Sequence, residues 1–103
     1  MERIEKLKDF LRMDPSDSFL QHALALEYIK AGEDDQARQL FEELLSRRPD
    51  YIGSYYHLAK LLERSGDIPG AASWFRKGIE EAKKAGDYHS LNELQAAYEE
   101  LVM

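Results

Sequence analysis

Residues 20–49 read LQHALALEYIKAGEDDQARQLFEELLSRRP, and residues 54–83 read SYYHLAKLLERSGDIPGAASWFRKGIEEAK. Laid over each other 34 positions apart, they match at Leu24 and Leu58, Ala25 and Ala59, Gly32 and Gly66, Ala37 and Ala71, and Phe41 and Phe75. The matches fall on small or apolar positions at helical spacing, while charged positions drift, as a solvated face allows. The breakers keep the same period, since Pro15 and Pro49 are also 34 apart. A period shared by core and breaker residues is an internal repeat, and it governs the reading of everything around it.

Working outward, the punctuation predicts six helices. The first runs from about Glu2 to Met13, with Ile4, Leu7, Phe10 and Leu11 as its apolar side, and Asp14-Pro15 stops it. The second follows Ser16 or Asp17, either a good N-cap, and runs to about Ala31, where Gly32 can turn left-handed. Its stripe is Leu20, Leu24 and Tyr28. The third spans roughly Asp34 to Arg47 on Ala37, Leu40, Phe41, Leu44 and Leu45. Pro49-Asp50 repeats the stop-and-cap signal, so the fourth is expected over about Tyr51 to Arg64, on Tyr55, Leu58, Ala59 and Leu62. Asp67 caps the fifth, which carries Pro69 in its harmless first turn and continues through Ala71, Ala72, Phe75 and Ile79 to about Ala85. Gly86-Asp87 ends it and caps a sixth, from about Tyr88 to Leu101, on Leu91, Leu94, Tyr98 and Leu101. Loops of two to four residues make successive helices antiparallel neighbours.

These residues resemble the tetratricopeptide repeat, a 34-residue helix–turn–helix with the signature W-x2-L-G-x2-Y, A-x3-F, P. One copy reads Gln21-x2-Leu24-Ala25-x2-Tyr28, Ala37-x3-Phe41, Pro49; the next reads Tyr55-x2-Leu58-Ala59-x2-Leu62, Ala71-x3-Phe75, with Lys83 where the proline would be. Lys83 implies a fifth helix longer than usual. Gly78 stands where the family prefers alanine and suggests a close contact with the last helix. The resemblance implies an all-α, right-handed superhelical stack in a single domain. Residues 1–14 form an N-terminal half-repeat, 18–51 the first repeat, 52–85 the second, and 87–102 a capping helix. In the last of these, His89, Asn92 and Glu93 do not suit core positions.

The composition bounds the function. The chain has 103 residues, 14 basic and 20 acidic, a net charge of -6 and no cysteine. No disulfide, thiolate metal site or cysteine nucleophile is available. The acidic balance argues against duplex nucleic acid and against anionic membranes. No apolar run reaches the roughly 18 residues of a spanning helix, and the start of the chain lacks a secretory h-region. A cytoplasmic protein is expected.

Catalytic constellations are not found. His22, His57 and His89 lack metal-type spacing with one another, and His89 with Glu93 at i, i+4 supplies only two ligands, so no metal and no cofactor are expected. The adjacent acidic pairs, such as Glu42-Glu43 and Glu80-Glu81, point apart on a helix and have basic neighbours at helical spacing. Neither a nucleophile elbow nor a phosphate loop is present. Trp74 lies one residue off the core stripe and reads as a packing residue. The chain is expected not to be an enzyme.

The family resemblance implies a concave groove lined by the first helix of each pair. Its positions fall on Phe19, His22, Leu26, Ile29 and Lys30 in the first copy, and on Gly53, Tyr56, Lys60, Glu63 and Arg64 in the second. Phe19, Leu26 and Ile29 lie off the core stripe and would form an apolar half; Tyr56, Lys60 and Arg64 would form a polar one. The alternative is that the N-terminal helix folds over the apolar three. Lys30, Lys60 and Arg64 suggest a locally basic pocket in an acidic chain. Capture of a chaperone tail by its C-terminal carboxylate is not expected, because the matching positions hold His22, Leu26, Tyr56 and Lys60, of which only Lys60 fits. The implied role is a protein–protein interaction module for a peptide or partner protein. The other reading is self-association, as a homodimer or larger assembly, through an exposed repeat face.

Overall fold

In the computed structural model, which describes residues 2–103, the chain forms six α-helices: α1 (Glu2–Met13), α2 (Ser18–Lys30), α3 (Asp34–Arg47), α4 (Gly53–Arg64), α5 (Ile68–Ala85) and α6 (Tyr88–Val102). Met1, the first residue of the expected half-repeat, lies outside the described residues. The helices group into two compact units, Met1–Arg48 with α1 to α3 and Pro49–Met103 with α4 to α6.

Aspartates start three of the helices. Asp17 accepts the Leu20 amide at 3.0 Å, Asp67 the Gly70 amide at 2.9 Å, and Asp87 the Ser90 amide at 3.1 Å. Each satisfies an N–H that the first helical turn leaves without a partner. Of the two candidate caps for α2, Asp17 is the one used. Gly32 and Gly66 follow α2 and α4 with φ of 78° and 93°, a backbone region closed to most side chains.

The start of α4 corrects the expectation. The helix begins at Gly53, not Tyr51, and its N-cap is Ile52 rather than Asp50. The repeat explains the difference. Tyr51 stands 34 residues after the Asp17 cap and has no acceptor of that reach, while Ile52 in the cap position makes no side-chain bond. The Ser54 and Tyr55 amides turn back to the Tyr51 and Ile52 carbonyls at 3.2 Å instead. The loop 48–52 is therefore five residues long, where four at most were expected.

In the first unit, Ile4 and Leu7 of α1 pack on Leu24, with Leu11, Leu20, Ala23, Tyr28 and Leu40 around them. Ala25, Ala37, Phe41 and Leu44 are fully excluded from solvent between α2 and α3. Phe10 departs from its predicted place and is 56% exposed. At 100° per residue it lies about 60° further round α1 than Leu7, beyond the arc that Ile4, Leu7 and Leu11 share.

In the second unit, Leu58, Ala59, Ala71, Phe75 and Ala82 are fully buried, joined by Tyr55, Leu61, Leu62 and Leu94. Burying Phe75 contributes about 2 to 3 kcal/mol of apolar transfer. Helix α5, at 18 residues against 14 for α3, does run long. Gly78 marks a tight approach between helices: a Cβ there would meet the Tyr55 Cβ at 2.7 Å and the Leu94 Cδ1 at 3.1 Å. The contact with the last helix exists, and the closer one is with α4.

Candidate functional site

The two helices assigned to the groove present different surfaces. On α2, Phe19 is 68% exposed, while His22, Leu26 and Ile29 are half-buried and Lys30 is exposed. Within this unit α1 packs on Leu24 and its neighbours, and Phe19 stays open to solvent. His22 sets its ring edge-on to Phe41 at 5.8 Å. Lys30 reaches the Glu27 carboxylate at 3.3 Å, and the same carboxylate holds Arg3 at 3.1 Å.

On α4, Tyr56 is partly exposed and packs edge-on to His57 at 5.8 Å and Phe75 at 6.3 Å. One turn on, Lys60 pairs with Glu63 at 3.2 Å, and Arg64 lies exposed at the end of the helix. His57 is half-buried, and burial holds its pKa below the ordinary histidine value while the Glu93 charge pulls the other way.

Tyr56 and Lys60 line a cleft against α6, with Glu93, Ala96, Ala97 and Glu100 as its other wall; its volume is about 370 Å³. The four α6 residues sit at i, i+3, i+4 and i+7, one face of one helix. Two alanines leave the space, and two carboxylates guard its ends. Glu93 is 3.5 Å from His89 on the solvent side. The Glu100 carboxylate makes no hydrogen bond or ion pair with the other described residues. The charge here opposes the basic pocket expected from sequence. Lys60 is answered by Glu63, and the carboxylates of α6 are left in excess.

These α6 residues were not among the groove positions expected from sequence, because α6 breaks the repeat. A shift of 34 places Lys60 over Leu94, and Leu94 is core. The signal that could have found them is charge: after Lys84 the chain has no Lys or Arg, and it carries Asp87, Glu93, Glu99 and Glu100. The first unit has a larger hollow of about 440 Å³, lined by Lys8, Leu11, Arg12, Pro15, Gln21 and Leu40, and none of the groove positions opens into it.

Chemically, the cleft offers an aromatic edge, a small apolar floor and anionic rims. That suits holding a chain segment. Among the described residues, no three His, Asp or Glu side chains gather at metal-binding distance. No described helix is long and apolar enough to cross a membrane. Trp74 is a half-buried packing residue, 6.1 Å from the Tyr55 ring and covered by the Lys77 ammonium at 4.4 Å.

The family profile of the tetratricopeptide repeat matches residues 28–98. A tetratricopeptide repeat domain protein from Salinibacter ruber, solved by solution NMR, is 43% identical, with a TM-score of 0.82 over 85% of this chain and 89% of that one. PcrH, crystallised in complex with the chaperone binding region of PopD, has a similar fold: TM-score 0.89 over 98% of this chain and 77% of that one, at 18% identity. Aspartyl/asparaginyl beta-hydroxylases of Mus musculus and Homo sapiens are 26% identical over 81 residues. That stretch is 79% of this chain, and the match spans 11% of the length of those enzymes.

Proposed function

Because the chain belongs to the tetratricopeptide-repeat family, we propose that it works as a protein-interaction module that holds an extended segment of a partner protein against its first-helix faces. The observation that carries this reading is the cleft beside Tyr56 and Lys60, two positions that the repeat assigns to the groove. In the first unit, taken by itself, the α2 face would offer Phe19, His22, Leu26, Ile29 and Lys30, with Phe19 as an exposed apolar anchor. Glu63 and Arg64 would complete the α4 side. PcrH, a protein of similar fold, was crystallised with a binding region of its partner, which supports a peptide-holding role for this architecture. The role is non-catalytic, since it asks of the side chains only shape, apolar contact and charge.

The test is selection from a displayed random-peptide library against the whole chain, followed by binding of the enriched peptides to an Ala96→Trp variant. Ala96 is exposed, so the indole fills the cleft without entering the core. Enriched peptides should lose binding to the variant while its thermal unfolding matches wild type. A selection that enriches nothing, or peptides indifferent to Ala96→Trp, would refute the reading.

A further inference from the structure

We infer that the occupant of the α4–α6 cleft is a cationic segment of a partner protein, with two Lys or Arg side chains spaced to meet Glu93 and Glu100. The inference rests on the proposal that the cleft holds a partner segment, and adds the chemistry of what is held.

Three observations carry it. The first is the sign of the charge. From Ala85 to Met103 there are four carboxylates and no Lys or Arg, and two of the four, Glu93 and Glu100, line the cleft. The second is that the one cation of the cleft is already satisfied. Lys60 pairs with Glu63 of its own helix at 3.2 Å rather than with Glu100, which lines the same cleft. The third is geometry. Glu93 and Glu100 are seven residues apart on one helix, which places them on the same face and about 10 Å apart along the axis. In a polyproline-type extended chain, residues i and i+3 share a side and are about 9 Å apart. A segment of the form Lys/Arg-x-x-Lys/Arg therefore sets one cation on each carboxylate, with the intervening chain over Ala96 and Ala97.

An acidic segment would meet these carboxylates at close range, where like-charge juxtaposition works against binding. A nucleic-acid strand is excluded on the same ground.

The experiment is fluorescence anisotropy of short labelled peptides against the whole chain. One probe carries two Arg three residues apart in an otherwise Ala/Pro sequence. A second has the two Arg adjacent, and a third has Glu in place of each Arg. The first should bind most tightly and weaken steeply with salt. Glu93→Gln and Glu100→Gln, both at exposed positions, should each weaken it about tenfold. Lys60→Gln should strengthen it. Equal binding of the Arg and Glu probes, or a Glu93→Gln/Glu100→Gln double variant that binds like wild type, overturns the inference. If the charge test fails while library-selected peptides still bind and are still lost in Ala96→Trp, the interaction-module reading survives. If those peptides do not exist, both fall together.

Discussion

Gln21 and Tyr55, 34 residues apart in sequence, make the same hydrogen bond with different chemistry. The Gln21 amide donates to the Pro15 carbonyl at 3.3 Å, and the Tyr55 hydroxyl donates to the Pro49 carbonyl at 2.6 Å. Both fill the first signature position of the repeat, and both tie the first helix to the proline six residues before it. The Arg47 guanidinium then donates to the free oxygen of Gln21. In both copies the position holds a side-chain donor long enough to reach that carbonyl.

Tyr55→Phe removes that donor while keeping the ring in its buried place. The Pro49 carbonyl lies at an exposed residue and can turn to water, so the expected loss is about 1 kcal/mol at neutral pH, read from urea unfolding. The pH dependence gives a second signature. Burial, with Glu81 and Asp50 nearby, pushes the Tyr55 pKa up to about 12. A phenol raised above its unfolded value near 10 is favoured neutral in the fold. Its stabilisation is present below pH 10 and is lost as pH rises towards 12. Wild type should lose more stability than Tyr55→Phe across that window; parallel curves would remove this residue from the account.

Gly78→Ala tests the close approach of α5 to α4 in the second unit. Alanine improves helix propensity by about 1 kcal/mol over glycine. Its methyl would lie 2.7 Å from the Tyr55 Cβ, close to the backbone of α4, and overpacking of this kind costs about 1 to 3 kcal/mol. The steric term should win, with a net loss of about 1 kcal/mol and a lower Tm. A rise in Tm would show that α4 and α5 separate easily.

Asp67→Ala removes the cap of α5, the longest helix. The Gly70 amide then loses its acceptor, and the expected cost is about 1 kcal/mol. Asp67→Asn should recover most of it, because an amide oxygen accepts equally well. Thermal unfolding of the pair separates capping from charge.

Most of the fold was legible because the repeat states its core twice. Leu24 and Leu58, Ala37 and Ala71, and Phe41 and Phe75 are all buried, as their shared register required. The misses have local causes. Tyr51 replaced a capping aspartate, so α4 starts late, and Phe10 sits at the edge of a narrow apolar arc that α2 does not reach. The site was only half legible. Tyr56 and Lys60 follow from the 34-residue period, whereas Glu93, Ala96, Ala97 and Glu100 stand on a helix that has left that period. Only packing against α4 gathers them.

Phe19 and Leu24 lie five residues apart on α2 and should respond oppositely. Phe19 is 68% exposed and Leu24 is 5% exposed. Phe19→Ser should leave stability within about 0.5 kcal/mol, as surface changes do. Leu24→Ala removes the side chain on which Ile4 and Leu7 of α1 pack, and should cost about 2 to 5 kcal/mol. If Phe19 is an interaction anchor, partner affinity falls in Phe19→Ser at unchanged Tm. A large drop in Tm instead would make Phe19 a structural residue.

Glu100 links stability to binding through its place on α6. It stands in the last turn of a helix whose last turn holds no basic residue. The carbonyl end of a helix carries partial negative charge, so a carboxylate there is unfavourable by about 0.3 to 1 kcal/mol at low salt. Glu100→Gln should therefore raise Tm slightly, and the gain should fade as salt screens the dipole. The same substitution should weaken a bound cationic segment. Opposite signs for the two measurements are expected of a carboxylate kept for a ligand at some cost to its own helix. Loss of both stability and binding would mean that Glu100 supports the structure and that the cleft does not depend on its charge.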